Sequence, residues 1–134
     1  MTRSRKRNVH KIGTPFVPLT WSLLNSSAYR ELPQSAAKAL PYFIGKDGKG
    51  AFKYGEEYGG IFEFTYDEAI RLGFARRTFA KVIKDLVSFG FIEMAGYGGL
   101  RGTCKSFNKF RLSIRWKQYG TPQFENVPRY PSEL

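Results

Sequence analysis

Residues 64–92 read Phe64-Thr65-Tyr66-Asp67-Glu68-Ala69-Ile70-Arg71-Leu72-Gly73-Phe74-Ala75-Arg76-Arg77-Thr78-Phe79-Ala80-Lys81-Val82-Ile83-Lys84-Asp85-Leu86-Val87-Ser88-Phe89-Gly90-Phe91-Ile92. Thr65 and Glu68 stand at capping-box spacing: the hydroxyl can accept from the Glu68 amide while the carboxylate reaches back, which predicts a short helix ending at Gly73. A second helix is predicted over 75–89. Phe79, Val82, Ile83 and Leu86 recur there at helical spacing and so share one buried stripe. Arg77, Lys81 and Lys84 then lie on the opposite face.

Gly90 can adopt the left-handed conformation that ends a helix, and Phe91-Ile92-Glu93-Met94-Ala95 reads as a strand. Gly96, Gly98, Gly99 and Gly102 follow, broken by Tyr97, Leu100 and Arg101. Over 107–114, Phe110, Leu112 and Ile114 alternate with Lys109, Arg111 and Ser113, which completes a hairpin with a basic, glycine-rich tip. Two short helices joined through a Gly-containing turn, the second with a cationic row outward, make a helix-turn-helix that can place its second helix in a DNA major groove. With the hairpin added, the expectation is an α+β fold, a winged helix-turn-helix of about four helices and a small antiparallel sheet. Its first strand is expected at Ile61 to Phe64.

The runs Phe16-Val17-Pro18-Leu19-Thr20, Leu23-Leu24-Asn25-Ser26-Ser27-Ala28-Tyr29-Arg30-Glu31-Leu32 and Ser35-Ala36-Ala37-Lys38, with 65–72 and 78–92, resemble the winged-helix proteins of bacterial mobile elements. Those are similar to the DNA-binding domains of plasmid and phage replication initiators and their small single-domain relatives. The resemblance covers 16–114, and its Leu-Gly, Thr, Leu, Gly-Phe-Ile pattern also suits MarR-type and other winged-helix transcription regulators. It implies duplex DNA as the partner, in replication initiation or transcription regulation. The chain departs from the pattern in its longer 45–60 loop and in Ala75, where a capping Ser is common.

Composition agrees with one domain: 134 residues, 42% hydrophobic and 16% aromatic, are enough for a core. A formal charge of +11 and a pI near 10.0 draw polyanions, of which nucleic acid is the commonest for so basic a small domain. Membrane surfaces and ribosomes answer to the same physics. No apolar run approaches the roughly 20 residues of a spanning helix, and no apolar segment follows the N-terminal charges as in a signal peptide. The expectation is a cytoplasmic protein with no membrane partner. Cys104 stands alone, so no internal disulfide forms.

Around the helix-turn-helix the chain divides into a basic arm (1–13), a winged-helix domain (14–115) and an extended C-terminal tail (116–134). The arm carries Arg3, Arg5, Lys6, Arg7 and Lys11 with His10 and no acidic residue, a run expected to be disordered alone and to follow phosphates or a minor groove, or else to be a solvated tail. From Pro15 the sequence turns apolar. A helix is expected from Thr20, broken at Asn25-Ser26-Ser27 and reaching Leu32, with Trp21, Leu24, Ala28 and Leu32 inward. After Pro33, 34–43 reads as the next helix, which Pro41 should kink or end. The 45–60 stretch mixes Gly45, Gly48, Gly50, Gly55, Gly59 and Gly60 with Lys46, Lys49, Lys53, Phe52, Tyr54 and Tyr58. It is no regular helix and no P-loop. Its interleaved lysines and aromatics suit phosphates and stacked bases, while its glycines and tyrosines equally suit a β-hairpin or plain connector. The tail, with Trp116, Tyr119, Pro122, Phe124, Pro128, Tyr130 and Pro131, reads as a strap over the domain, as a homodimer contact, or as a frayed end.

No triad or metal-ligand spacing appears, so neither catalysis, a cofactor nor a small-molecule substrate is expected. Asp67 and Glu68 suit the first turn of a helix. For Cys104, beside Arg101 and Lys105, a redox-sensitive thiolate and an unremarkable thiol are both open. The DNA-binding candidates are Arg76, Arg77, Thr78, Lys81 and Lys84 on the second helix, Arg101, Lys105 and Lys109 on the hairpin, and Arg3, Arg5, Lys6 and Arg7 on the arm. Arg76, Arg77 and Lys81 would approach base edges and phosphates, Arg77 foremost, while Arg101 and Lys105 hold the adjacent backbone. Two other readings stand beside this: a protein-interaction module of a replication or transcription complex, and a binder of structured RNA.

Overall fold

The computed structural model describes residues 15–97 and 107–125. In chain order these form α1 (Trp21–Leu24), α2 (Ser27–Glu31), α3 (Gln34–Lys46), a 3₁₀ segment (Gly48–Lys53), β1 (Ile61–Glu63), α4 (Tyr66–Arg71), α5 (Arg76–Ser88), β2 (Ile92–Tyr97), β3 (Phe107–Leu112) and a 3₁₀ turn (Arg115–Gln118). The class is α+β, with a three-stranded antiparallel sheet in the order β1-β3-β2. No helix among the described residues is long and apolar enough to cross a membrane.

Short polar side chains set the N-terminal helices. Thr20 Oγ1 accepts from the Leu23 amide at 3.2 Å and starts α1. Ser26 then closes one helix and opens the next: its hydroxyl donates to the Leu23 carbonyl at 2.7 Å and accepts from the Tyr29 amide at 3.1 Å. This break corrects the expectation that Trp21 and Leu24 face inward. Trp21 is 77% exposed and Leu23 is buried instead, because the helical register restarts at Ser27 and Trp21 shares no continuous face with Ala28 and Leu32.

Pro41 likewise does not end α3, which runs to Lys46. A proline here lacks the N–H that would meet the Ala37 carbonyl, at a cost of about 3 kcal/mol in an isolated helix. Ala36, Ala39, Leu40, Phe43 and Ile44 form a wholly buried face spanning the proline, and that burial holds the helix together. Phe43 is the centre of the core. Its ring lies 4.7 Å from Phe64, 5.4 Å from Phe110, 5.9 Å from Phe79 and 6.3 Å from Phe62, so one side chain joins α3, α5 and the sheet.

The sheet registers Phe62 with Phe110 and Met94 with Phe110, which puts its apolar face on that cluster. Alternation stops at Leu112 rather than continuing to Ile114. Ser113 is buried, its amide donating to the Phe91 carbonyl at 2.9 Å and its hydroxyl to Glu93 at 3.0 Å. Gly90, at φ +90°, permits this closure, since a Cβ there would sit 2.6 Å from the Trp116 amide nitrogen.

The 45–60 loop is neither a hairpin nor a plain connector. After the 3₁₀ segment, the Tyr54 hydroxyl donates to the Phe91 carbonyl at 2.7 Å and the Gly59 amide to the Leu112 carbonyl at 3.1 Å. Burial pushes the Tyr54 phenol well above its ordinary pKa. At the far end, Trp116 is part of the core, donating its amide to Gly90 and stacking on Phe91 at 6.0 Å. Tyr119 stacks on Phe89 at 4.9 Å and Phe124 meets Tyr119 at 5.4 Å, so the described part of the tail lies over the domain.

Candidate nucleic-acid interface

α4 and α5 are held as a pair by local chemistry. The Glu68 amide donates to Thr65 Oγ1 at 3.1 Å and the Thr65 amide donates back to Glu68 Oε1 at 2.9 Å, the reciprocal cap expected from the spacing. Lys46 adds an ion pair to Glu68 at 2.7 Å, fastening the end of α3 to the start of α4. Burial alone would raise the Glu68 carboxyl; the bonds from Lys46 and Thr65 outweigh it and hold the group below the usual carboxylate range. Gly73 turns the chain at φ +103°, and the Phe74 amide bonds the Ala69 carbonyl at 3.0 Å.

From that turn α5 runs with Phe79, Val82, Ile83, Leu86 and Val87 buried. The opposite side exposes Arg77, Lys81, Lys84 and Ser88, spaced i, i+4, i+7 and i+11, along a strip about 16 Å long. The four differ in freedom. Lys81 Nζ is 2.8 Å from Asp85 Oδ2, a pairing one turn apart. Arg77 and Lys84 have no ion pair among the described residues. Arg76 stands off the strip, its guanidinium 5.3 Å over the Tyr66 ring and 4.0 Å from Asp67. Thr78 is half-buried.

Lys109 is exposed on the central strand, across from Glu63 on β1 and Gly96 on β2. Arg101, Lys105 and Cys104, with Arg3, Arg5, Lys6, Arg7 and His10, lie outside the described residues. Sequence reasoning passed over Ser88 and Asp85, although the i, i+4 relation of Lys81 to Asp85 was there to be read.

The C-terminal end of α5 is tied by a buried cation. Arg115 is 7% exposed; Nη2 donates to the Val87 carbonyl at 2.7 Å and Nη1 to the Glu125 carbonyl at 2.6 Å. Positive charge at the last carbonyls of a helix complements its dipole. Glu93 supplies the counter-charge, taking Arg111 at 3.0 Å, the Ser113 hydroxyl at 3.0 Å and Arg115 Nε at 3.6 Å. Burial lowers the Arg115 pKa and Glu93 opposes it. Helix, hairpin and tail therefore share one polar junction.

Compared with models of protein families, with curated proteins and with solved structures, the chain matches none. The arrangement can present a cationic helix face to a polyanion.

Proposed function

We propose that this protein binds double-stranded DNA as a winged helix-turn-helix, with α5 as the recognition helix and the β2–β3 hairpin as the wing. The observation that carries the reading is the exposed Arg77, Lys81, Lys84 strip on a helix whose other face is buried and whose C-terminal end is fastened by Arg115. The element order α3, β1, α4, α5, β2, β3 and the strand order β1-β3-β2 support it, as does the +11 charge. Arg77 and Lys84, with no ion pair among the described residues, contact bases and phosphates; Lys81 is second to them while Asp85 holds it. Arg101, Lys105 and Lys109 hold the flanking backbone, and Arg3, Arg5, Lys6 and Arg7 extend the contact. The role served is replication initiation or transcription control of a mobile element.

Fluorescence anisotropy across a salt series tests this with a random-sequence duplex. Wild type should lose affinity as salt rises, by about 0.9 in log–log slope per phosphate neutralised. Arg77→Ala/Lys84→Ala should weaken binding and flatten that slope. Unchanged affinity and slope in a folded double variant would remove α5 from the interface.

A further inference from the structure

We propose a second nucleic-acid site on the 3₁₀ segment: a stacking platform for single-stranded nucleic acid, built by Phe52 and Phe16 and flanked by Lys49 and Lys53. A 3₁₀ helix eclipses side chains at i and i+3. Ala51 and Tyr54 therefore form the inward row, Ala51 buried and Tyr54 anchored on Phe91. Lys49 and Phe52 form the outward row, with Lys53 beside them. Both lysines are exposed and have no ion pair among the described residues.

Phe52 is 60% exposed and Phe16 is 55% exposed, yet their rings meet edge to face at 5.7 Å and 87°. An ordered aromatic pair left half in water beside unpaired ammonium groups offers the two things a single strand needs, a ring face for a base and cations for the phosphates on either side. Val17 Cγ2 lies 3.0 Å from where a Gly45 Cβ would stand, so the segment before α1 seats on the last turn of α3, just ahead of the 3₁₀ segment.

The platform is distinct from the α5 strip. Its loop is fastened to Phe91 and to the Leu112 end of β3, while Arg77, Lys81 and Lys84 lie on α5. A protein with both sites could hold a duplex on one surface and a separated strand on another.

The test uses the full chain with labelled oligo-dT, oligo-U and a random duplex. Phe52→Ala should weaken binding of the single strands about tenfold, with duplex affinity unchanged and Phe52→Trp restoring it. Lys49→Ala/Lys53→Ala should also weaken the strands, while Arg77→Ala/Lys84→Ala affects only the duplex. The oligo-dT and oligo-U arms distinguish DNA from RNA as the source of the strand. Absence of single-strand binding by wild type at low salt would overturn the platform, as would a folded Phe52→Ala variant with wild-type strand affinity. A Phe52→Ala change in sedimentation without a change in strand affinity would overturn it too, marking a contact between copies of the chain. Loss of the α5 effect alone leaves the platform standing.

Discussion

Asp47 carries more of the 45–60 loop than its single carboxylate suggests. Its Oδ1 accepts from the Gly60 amide at 3.2 Å, and its Oδ2, without a hydrogen-bond partner among the described residues, fills the space where a Gly50 or Gly59 Cβ would stand, 2.0 and 2.5 Å away. Burial raises its pKa and the Gly60 bond lowers it. Gly50 is thus required for close approach rather than for its backbone angles. Asp47→Ala should cost about 1 kcal/mol through the lost bond. Gly50→Ala should destabilise by expelling the carboxylate, and in an Asp47→Ala background it should do much less. Urea denaturation of the two singles and the double checks this: strict additivity would mean that the carboxylate does not occupy that space. None of it was legible in the sequence, because the Gly60 bond joins residues 13 apart and the tight space at Gly50 and Gly59 is marked only by a Cβ that glycine lacks. Thr65 and Glu68 were legible because their whole interaction spans three residues.

At the level of elements, α5 was readable from its period and α4 from its cap. The buried face of α5 contains every residue the spacing put there, with Val87 added. Trp21 and Pro41 misled for one reason: each rule assumes a helix judged alone, whereas a serine cap restarted one register and a buried face carried the other through. The Lys81 and Asp85 pair gives a prediction specific to α5. Asp85→Ala should release Lys81, strengthen duplex binding and steepen the log–log salt dependence by about 0.9. A weaker or unchanged affinity in the folded variant would show that Lys81 does not reach phosphate, even when free.

For the molecule as a whole, the domain does not finish where β3 does. Trp116 lies beyond the 14–115 span read from the sequence, yet its ring packs on Phe91 and within 6.0 Å of Tyr54, and its amide closes on Gly90. The sequence offered a strap over the domain as one of three readings of the tail and did not choose among them, since proline signals irregular chain and says nothing about whether that chain is covered. Trp116→Ala should destabilise the fold by about 3 to 5 kcal/mol, measured by chemical denaturation, because it opens a cavity under α5, β2 and the loop together. A loss below about 1 kcal/mol would place the tryptophan outside the cooperative unit.

β1 has only three residues, one side paired with β3 and the other without a partner strand among the described residues, and Ile61 on it is 67% exposed. A longer strand with that edge would template addition of a further chain and growth into aggregates. Three residues offer too few backbone groups for such growth, and Glu63 places a negative charge at the strand's end. The brevity of β1 thus protects the molecule's open sheet edge from pairing with a second chain when the protein is concentrated.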